Sequence, residues 1–272
     1  MNRQVGPYHV VDFPPERLAG IHFISKQWCK HSMYGLLEVD VTVVRQLIEV
    51  HKARTGEALS LTGYLAFCLA HAVDADKAVQ AYMKGRKQLI LFDDVSVGLM
   101  VEHKVGEKRA LMGHVVRGAN RKTYPEIHQE IRAAQANPVP TSAGAASCVR
   151  VAMSLPWPLN SLFNAMVLMA KRRDPTTFTS MAGTVAITAV GMFGHGQGGW
   201  GIAPTAHALT LVVGGIALKP AVVEGRIEPR QLLHLTVVFN HDTIDGAPAT
   251  RFTRRLVELI ESGYGLDENQ TR

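Results

Sequence analysis

Apolar residues recur along this chain with two periods, one near 3.6 and one near 2, and the switches between them predict the elements. Pro14-Pro15-Glu16 reads as a helix start, and Leu18, Ile21, Ile24 and Trp28 continue at helical spacing. Residues 33–41 alternate instead, with Leu37, Val39 and Val41 on one face and Glu38 and Asp40 on the other, the pattern of a half-exposed strand. Val43, Val44, Leu47, Ile48 and His51 share one side of the next helix, which Gly56 ends. Ser60 or Thr62 can cap a further helix through Val73. Residues 88–92 and 95–102 are β-rich runs joined by Asp93-Asp94 and read as a hairpin, with residues 110–116 able to pair beside them. Thr123-Tyr124-Pro125-Glu126 is a capping box opening a helix to Ala134.

A loop rich in Pro, Ala, Gly and Ser over residues 137–147 separates this half from a different one. Residues 175–218 carry no formal charge, yet glycines, threonines and histidines break the run too often for a membrane span. Buried strands over residues 184–190, 208–217 and 232–239 account for it, the last ending at His241. A final helix begins near Pro248, turning Ala249, Phe252, Leu256, Leu259 and Ile260 inward and Arg251, Arg254, Arg255 and Glu258 outward. An α/β fold follows, a mixed sheet flanked by helices. Residues 151–170 are uncharged and precede Lys171, Arg172 and Arg173, which is the length of a span. Pro156, Pro158, Asn160, Ser161 and Asn164 interrupt it, leaving residues 162–170 as a helix packed on the body or on a neighbouring subunit. The other reading of that helix is an apolar face touching lipid with the basic triplet at headgroups.

The 272 residues permit a single domain, and 47% hydrophobic with 19% charged residues excludes disorder, collagen and coiled coil. A net charge of +6 suits an anionic ligand without identifying one, and nucleic acid is not favoured. Three dispersed cysteines, Cys29, Cys68 and Cys148, form neither a disulfide framework nor a paired-cysteine metal site. No secretory signal is visible in the first twenty residues, so a cytoplasmic location is expected.

Residues 194–199 satisfy the G-x-G-x-x-G string, but a dinucleotide site needs a helix to open there and Pro204 comes too soon; a tight or flexible loop is the plainer reading. His195, His207, His234 and His241 have no metal-ligand spacing, so no metal is expected. Residues 239–246 differ in kind. They place His241 just after a buried strand and Asp245 four positions later beside Gly246. A rigidly presented imidazole there could take a proton from a thiol, alcohol or amine, although the same pairing also suits a structural turn.

His241-x-x-x-Asp245-Gly246 resembles the active-site signature shared by chloramphenicol acetyltransferase and the catalytic core of the dihydrolipoamide acyltransferases of 2-oxo acid dehydrogenase complexes. Residues 183–194 (GTVAITAVGMFG) and 217–230 (ALKPAVVEGRIEPR) are similar to that core, as are residues 38–42 and 115–122. The likeness covers roughly residues 16–262. It implies a single acyltransferase domain with a chloramphenicol acetyltransferase-like mixed sheet, forming homotrimers, with higher assembly of the trimers left open. Coenzyme A would enter as substrate, opposite a small-molecule or lipoyl-type acceptor. His241 matches the general base and Asp245 the signature aspartate. Thr188 falls where the family has a serine facing the tetrahedral oxyanion, a hydrogen bond that a threonine can also donate. In the family these groups come from adjacent subunits.

Asn240-His241-Asp242 stands where acyltransferase cores usually carry Asp-His-Arg, so a charge is lost before the histidine and reversed after it. An Asp242 carboxylate near the ring would favour imidazolium, so a working base needs that side chain pointed away. No lipoyl domain and no covalently bound lipoate are expected in this chain, and residues 137–182 are expected as an insertion. Two further readings stand beside the acyltransferase: a trimeric scaffold or regulator of this fold that has lost catalysis, and an esterase activating water.

Overall fold

Alternating and helical patterns resolve into β1 (Ser32–Asp40), α1 (Thr42–Thr55), α2 (Leu61–Ala75), β2 (Tyr82–Lys84), β3 (Gln88–Ile90), β4 (Val97–Val105), β5 (Lys108–Val116), α3 (Tyr124–Ala136), α4 (Pro175–Ala182), β6 (Val185–Ala189), β7 (Leu209–Val223), β8 (Arg226–Asn240) and α5 (Gly246–Glu261). The computed structural model of the chain describes residues 31–85, 87–105, 108–136, 166, 174–190 and 196–266. The expected first helix over residues 16–28, the loop over residues 137–147 and the apolar helix over residues 162–170, apart from an exposed Met166, lie outside the described residues. No helix among the described residues is long and apolar enough to cross a membrane.

Six strands form one mixed sheet in the order β1-β8-β7-β6-β4-β5. The pairs β4–β6 and β6–β7 are parallel and the others antiparallel. Register assigns the two faces. Leu37, Leu235 and Val213 form one cross-strand row, and Val237, Leu211, Ile187 and Leu99 another. Both belong to the main hydrophobic core, which α2, α3 and α5 complete. Leu36, Thr236, Val212 and Thr188 form a row on the opposite face, next to Tyr34, Val238, Thr210 and Ala186.

The helices start and stop for local reasons. Ser60 Oγ accepts from Gly63 N at 3.2 Å to open α2, which is buried on every side from Gly63 to Ala70 as a helix apolar all round must be. Gly56, at φ 76°, ends α1. At α3 the capping box forms its reach-back half: Glu126 Oε2 accepts from Thr123 N at 2.7 Å, and the Thr123 hydroxyl donates to the same oxygen at 2.8 Å instead of accepting from the backbone. Helix α5 buries Ala249, Phe252, Leu256, Leu259 and Ile260 as its pattern requires.

Partner choice differs from the sequence expectation at one hairpin. β3 pairs backward with β2 in a separate two-stranded sheet, whereas β4 pairs with β5 and β6. The Asp93-Asp94 segment is a crossing between sheets, held where Val95 N donates to Asn120 Oδ1 at 2.9 Å and Ser96 N to Thr184 Oγ1 at 3.0 Å. Gly98 fits there because a Cβ would lie 2.1 Å from the Ala182 carbonyl oxygen that closes α4.

Candidate active site

Strand β8 ends at Asn240, paired in register with Ser32, and the ladder runs one rung further, where His241 N donates to His31 O at 2.7 Å. The candidate base is therefore carried by a hydrogen-bonded strand end and not by a free loop. Asn240 shapes the turn that follows. Its side-chain oxygen accepts from Asp242 N at 3.2 Å, and its carbonyl accepts from Thr243 N and the Thr243 hydroxyl, both at 3.1 Å. Ile244, 6% exposed, anchors the far side of the turn in the core.

Asp245 occupies the N-cap position of α5 but makes no side-chain capping bond. Its Oδ1 lies 3.9 Å from His241 Nδ1, with the two side chains 85% and 50% exposed. That separation is too long for a hydrogen bond. The imidazole Nε2 has no partner among the described residues. Asp242, whose carboxylate could have burdened the base, is engaged elsewhere: His31 Nδ1 lies 2.8 Å from its Oδ1. A carboxylate only accepts, so His31 Nδ1 is the donor.

Thr188 is the penultimate residue of β6, on the face away from the helices. Its row runs through Val212 to Thr236. His241 lies five residues beyond Thr236, so at about 3.3 Å per residue and about 4.8 Å per strand it stands roughly 19 Å from Thr188. One chain thus unites His241 with Asp245 and keeps Thr188 apart from both.

Two clefts among the described residues contain none of the three. A volume of about 490 Å³ is lined by Asp93, Asp94, Ser96, Arg117, Arg121 and Thr184 among others. Its cations are engaged, since Arg121 pairs with Asp94 and Arg117 Nη2 donates to Ser180 O at 2.6 Å. A smaller volume of about 210 Å³ lies between α1 and α3, beside His51, Glu57 and His128. Burial holds the His128 imidazole below its usual pKa, with the charges of Arg132 and His51 acting the same way. No group of three or more His, Cys, Asp or Glu among the described residues is placed to hold a metal ion.

The glycine-rich string lacks, among the described residues, the helix N-terminus that a dinucleotide site needs. Residues 191–195 lie outside the described residues, but no helix opens after Gly199. Gly198 and Gly199 pack backbone to backbone on a bulge of β7, where Gly215 N donates to Gly199 O at 2.9 Å and a Cβ on Gly214 would meet that oxygen at 2.2 Å. His31 is the site residue that sequence reasoning missed. It adjoins β1 with no motif of its own, and its part emerges only from the β1–β8 register.

The family model for the catalytic domain of the 2-oxoacid dehydrogenases acyltransferases matches residues 25–138 and 161–266, most of the chain. The chain belongs to this family. It is an acyltransferase by that membership, and the interruption of the match falls within the expected insertion. Among solved structures, a dihydrolipoamide acetyltransferase of Azotobacter vinelandii shares 20% identity at a TM-score of 0.68, covering 97% of this chain and 96% of that one. A probable dihydrolipoamide acetyltransferase of Listeria monocytogenes 4b F2365 shares 18% identity at 0.64, covering 98% of each chain. The cubic core of a pyruvate dehydrogenase multienzyme complex shares 19% at 0.66, covering 97% of this chain and 96% of that one. These likenesses bear out the mixed sheet flanked by helices. No curated protein sequence matches the chain.

Proposed function

We propose that this acyltransferase moves an acyl group between coenzyme A and a thiol, hydroxyl or amine acceptor, with His241 as general base. The observation that carries the reading is the strand-end imidazole, fixed through its backbone, flanked at Nδ1 by Asp245 and open at Nε2. In the forward direction Nε2 takes the proton of the attacking thiol, hydroxyl or amine. That atom adds to the thioester carbonyl, the tetrahedral oxyanion collapses, and the imidazolium returns the proton to the departing coenzyme thiolate. Asp245 Oδ1 stands 3.9 Å from Nδ1 while the ring carries the proton. The A. vinelandii enzyme was studied through a serine, a histidine and an asparagine four positions after that histidine; Thr188, His241 and Asp245 repeat this order and final spacing.

Thr188 serves as the oxyanion donor from a second copy of the chain in a homotrimer. Support comes from the roughly 19 Å that separate it from His241 within one chain. Its face of the sheet also carries exposed apolar side chains, Tyr34 and Leu36, suited to contact with another copy. Larger assemblies of trimers fit the likeness to a cubic core.

One observation favours the scaffold reading instead, the long and exposed approach of Asp245 to His241. Incubating the protein with short and branched acyl thioesters of coenzyme A, with and without acceptors including dihydrolipoamide, and following free thiol separates the readings. Acceptor-dependent release lost in His241→Ala supports transfer. Coenzyme binding without turnover points to the scaffold, and release without any acceptor to hydrolysis.

A further inference from the structure

The three most exposed large hydrophobic side chains among the described residues, Leu218, Val222 and Ile227 at 70%, 75% and 77%, sit together on one hairpin. There β7 and β8 run on past the ends of β6 and β1, and Glu224 and Gly225, at φ 49° and 80°, close the arm in a two-residue turn. The rungs on one face are Leu218 with Gln231, Pro220 with Pro229, and Val222 with Ile227. None of the six is charged. On β8 this is the face that turns Leu233 and Leu235 into the core, continued beyond the helices that cover it there. On the opposite face Lys219 and Arg230 pair with Glu38 and Asp40 of β1. Neither proline has an amide hydrogen, so their rung exchanges no bond, and the donor that each edge would point outward is missing. The edges thus resist an added strand, whereas the face lies open.

We propose that this face is where one homotrimer meets another, arm stacked on arm about a two-fold axis. The inference rests on the homotrimer of the proposed function and goes beyond it by naming the surface that joins trimers. Size argues for a second copy as the occupant. Three rungs at about 3.3 Å per residue, on two strands about 4.8 Å apart, make a patch of roughly 160 Å², about a fifth of the ~800 Å² that each partner gives to a stable interface. One such contact holds no lone partner, but a trimer offers three of them, and linked contacts reinforce one another. The axis runs across the strands, because only then do the two bodies lie at opposite ends of the stacked arms. Leu218 then meets the partner's Val222, with the prolines at the axis.

The test follows the mass of the full chain by sedimentation velocity and light scattering over a range of concentrations, for the wild type, Val222→Glu and Leu218→Lys/Val222→Glu. Both positions face water in the single chain, so the fold is retained, and release of coenzyme thiol per chain is unchanged because Gln231, at the near end of the arm, is ten residues, or about 33 Å, from His241 along β8. The wild type forms multiples of three copies. Val222→Glu buries an unpaired charge twice in each contact, so its assembly beyond three copies requires a concentration about 100-fold higher or more. The added lysine faces the partner's glutamate and recovers at least tenfold of that loss. A wild type of three copies at every concentration overturns the inference and leaves the face to a different partner. A larger assembly that Val222→Glu leaves intact also overturns it, as does a loss that Leu218→Lys fails to recover. Failure of the homotrimer reading shows differently, as a smallest species of Val222→Glu that is not three copies while the charge pair still restores assembly.

Discussion

Mixed assemblies offer the sharpest test of how the site is composed, because His241 and Thr188 stand roughly 19 Å apart in one chain by strand geometry. His241→Ala removes the base and is expected to lower kcat by about 10²–10⁴-fold. Thr188→Val removes an oxyanion donor and is expected to cost about 10²–10³-fold. If each site takes its base from one copy and its hydroxyl from the next, a native site forms wherever a Thr188→Val chain supplies His241 to a His241→Ala chain supplying Thr188. Random assembly in a closed ring gives each of these a chance of one half, so co-expressed variants in equal amounts recover about a quarter of wild-type activity. The assay is the release of coenzyme thiol on the purified mixture, against each variant alone and against the two mixed after folding. A co-expressed mixture no more active than the mean of its components, below about one per cent of wild type on the losses given above, refutes the shared site.

Three further outcomes are expected. Tyr64, fully buried, donates to the carbonyls of Leu259 and Ile260 at 3.1 and 3.3 Å, so Tyr64→Phe should cost about 1–2 kcal/mol in urea unfolding while leaving turnover intact. The Thr236 hydroxyl is buried without a hydrogen-bond partner among the described residues, so Thr236→Val should leave thermal stability unchanged or higher; a fall of more than about 1 kcal/mol would contradict this. Burial lowers the pKa of His71 and of His128, so the unfolded chain binds protons first. Their effect on stability is absent above the unfolded value of about 6.5 and destabilises as pH falls below it, so urea midpoints should drop between pH 7.5 and 5.5, and a flat profile would contradict the assignment.

Much of the fold was legible because its signals are local. Ser60, Gly56 and the Thr123–Glu126 box mark helix ends through bonds within three or four residues. What local pattern could not supply was partner choice. The turn at Asp93-Asp94 resembles a hairpin bend in isolation, yet β4 finds its partners in β5 and in β6, a strand that begins only at Val185. Strand length was underestimated for a related reason. The expected strands stopped at Ala217 and resumed at Leu232, leaving Pro220 and Pro229 outside both. In the structure the two prolines face each other in the arm where β7 and β8 extend beyond β6 and β1, so no outer strand needs their missing amides.

The site divides along the same line. His241 was legible because a buried run of alternating residues must end somewhere, and a histidine at that end is presented rigidly whatever its chemistry. Asn240 was read only as a lost charge, yet its side-chain oxygen and its carbonyl organise the turn that carries Asp242 and Asp245. Had the usual aspartate stood there, its carboxylate could also have accepted from Asp242 N. The exchange therefore removes charge next to the base while retaining the turn. With Asp242 bound by His31 and an uncharged amide at position 240, neither departure forms an ion pair with His241 among the described residues. The substitution Asn240→Asp distinguishes this account from one in which the position is indifferent. It should preserve folding, because the accepting oxygen remains. It should also lower kcat/KM on the acid side of the pH profile, because a carboxylate is restored next to His241 along the chain. An unchanged profile would mean that charge at this position does not reach His241.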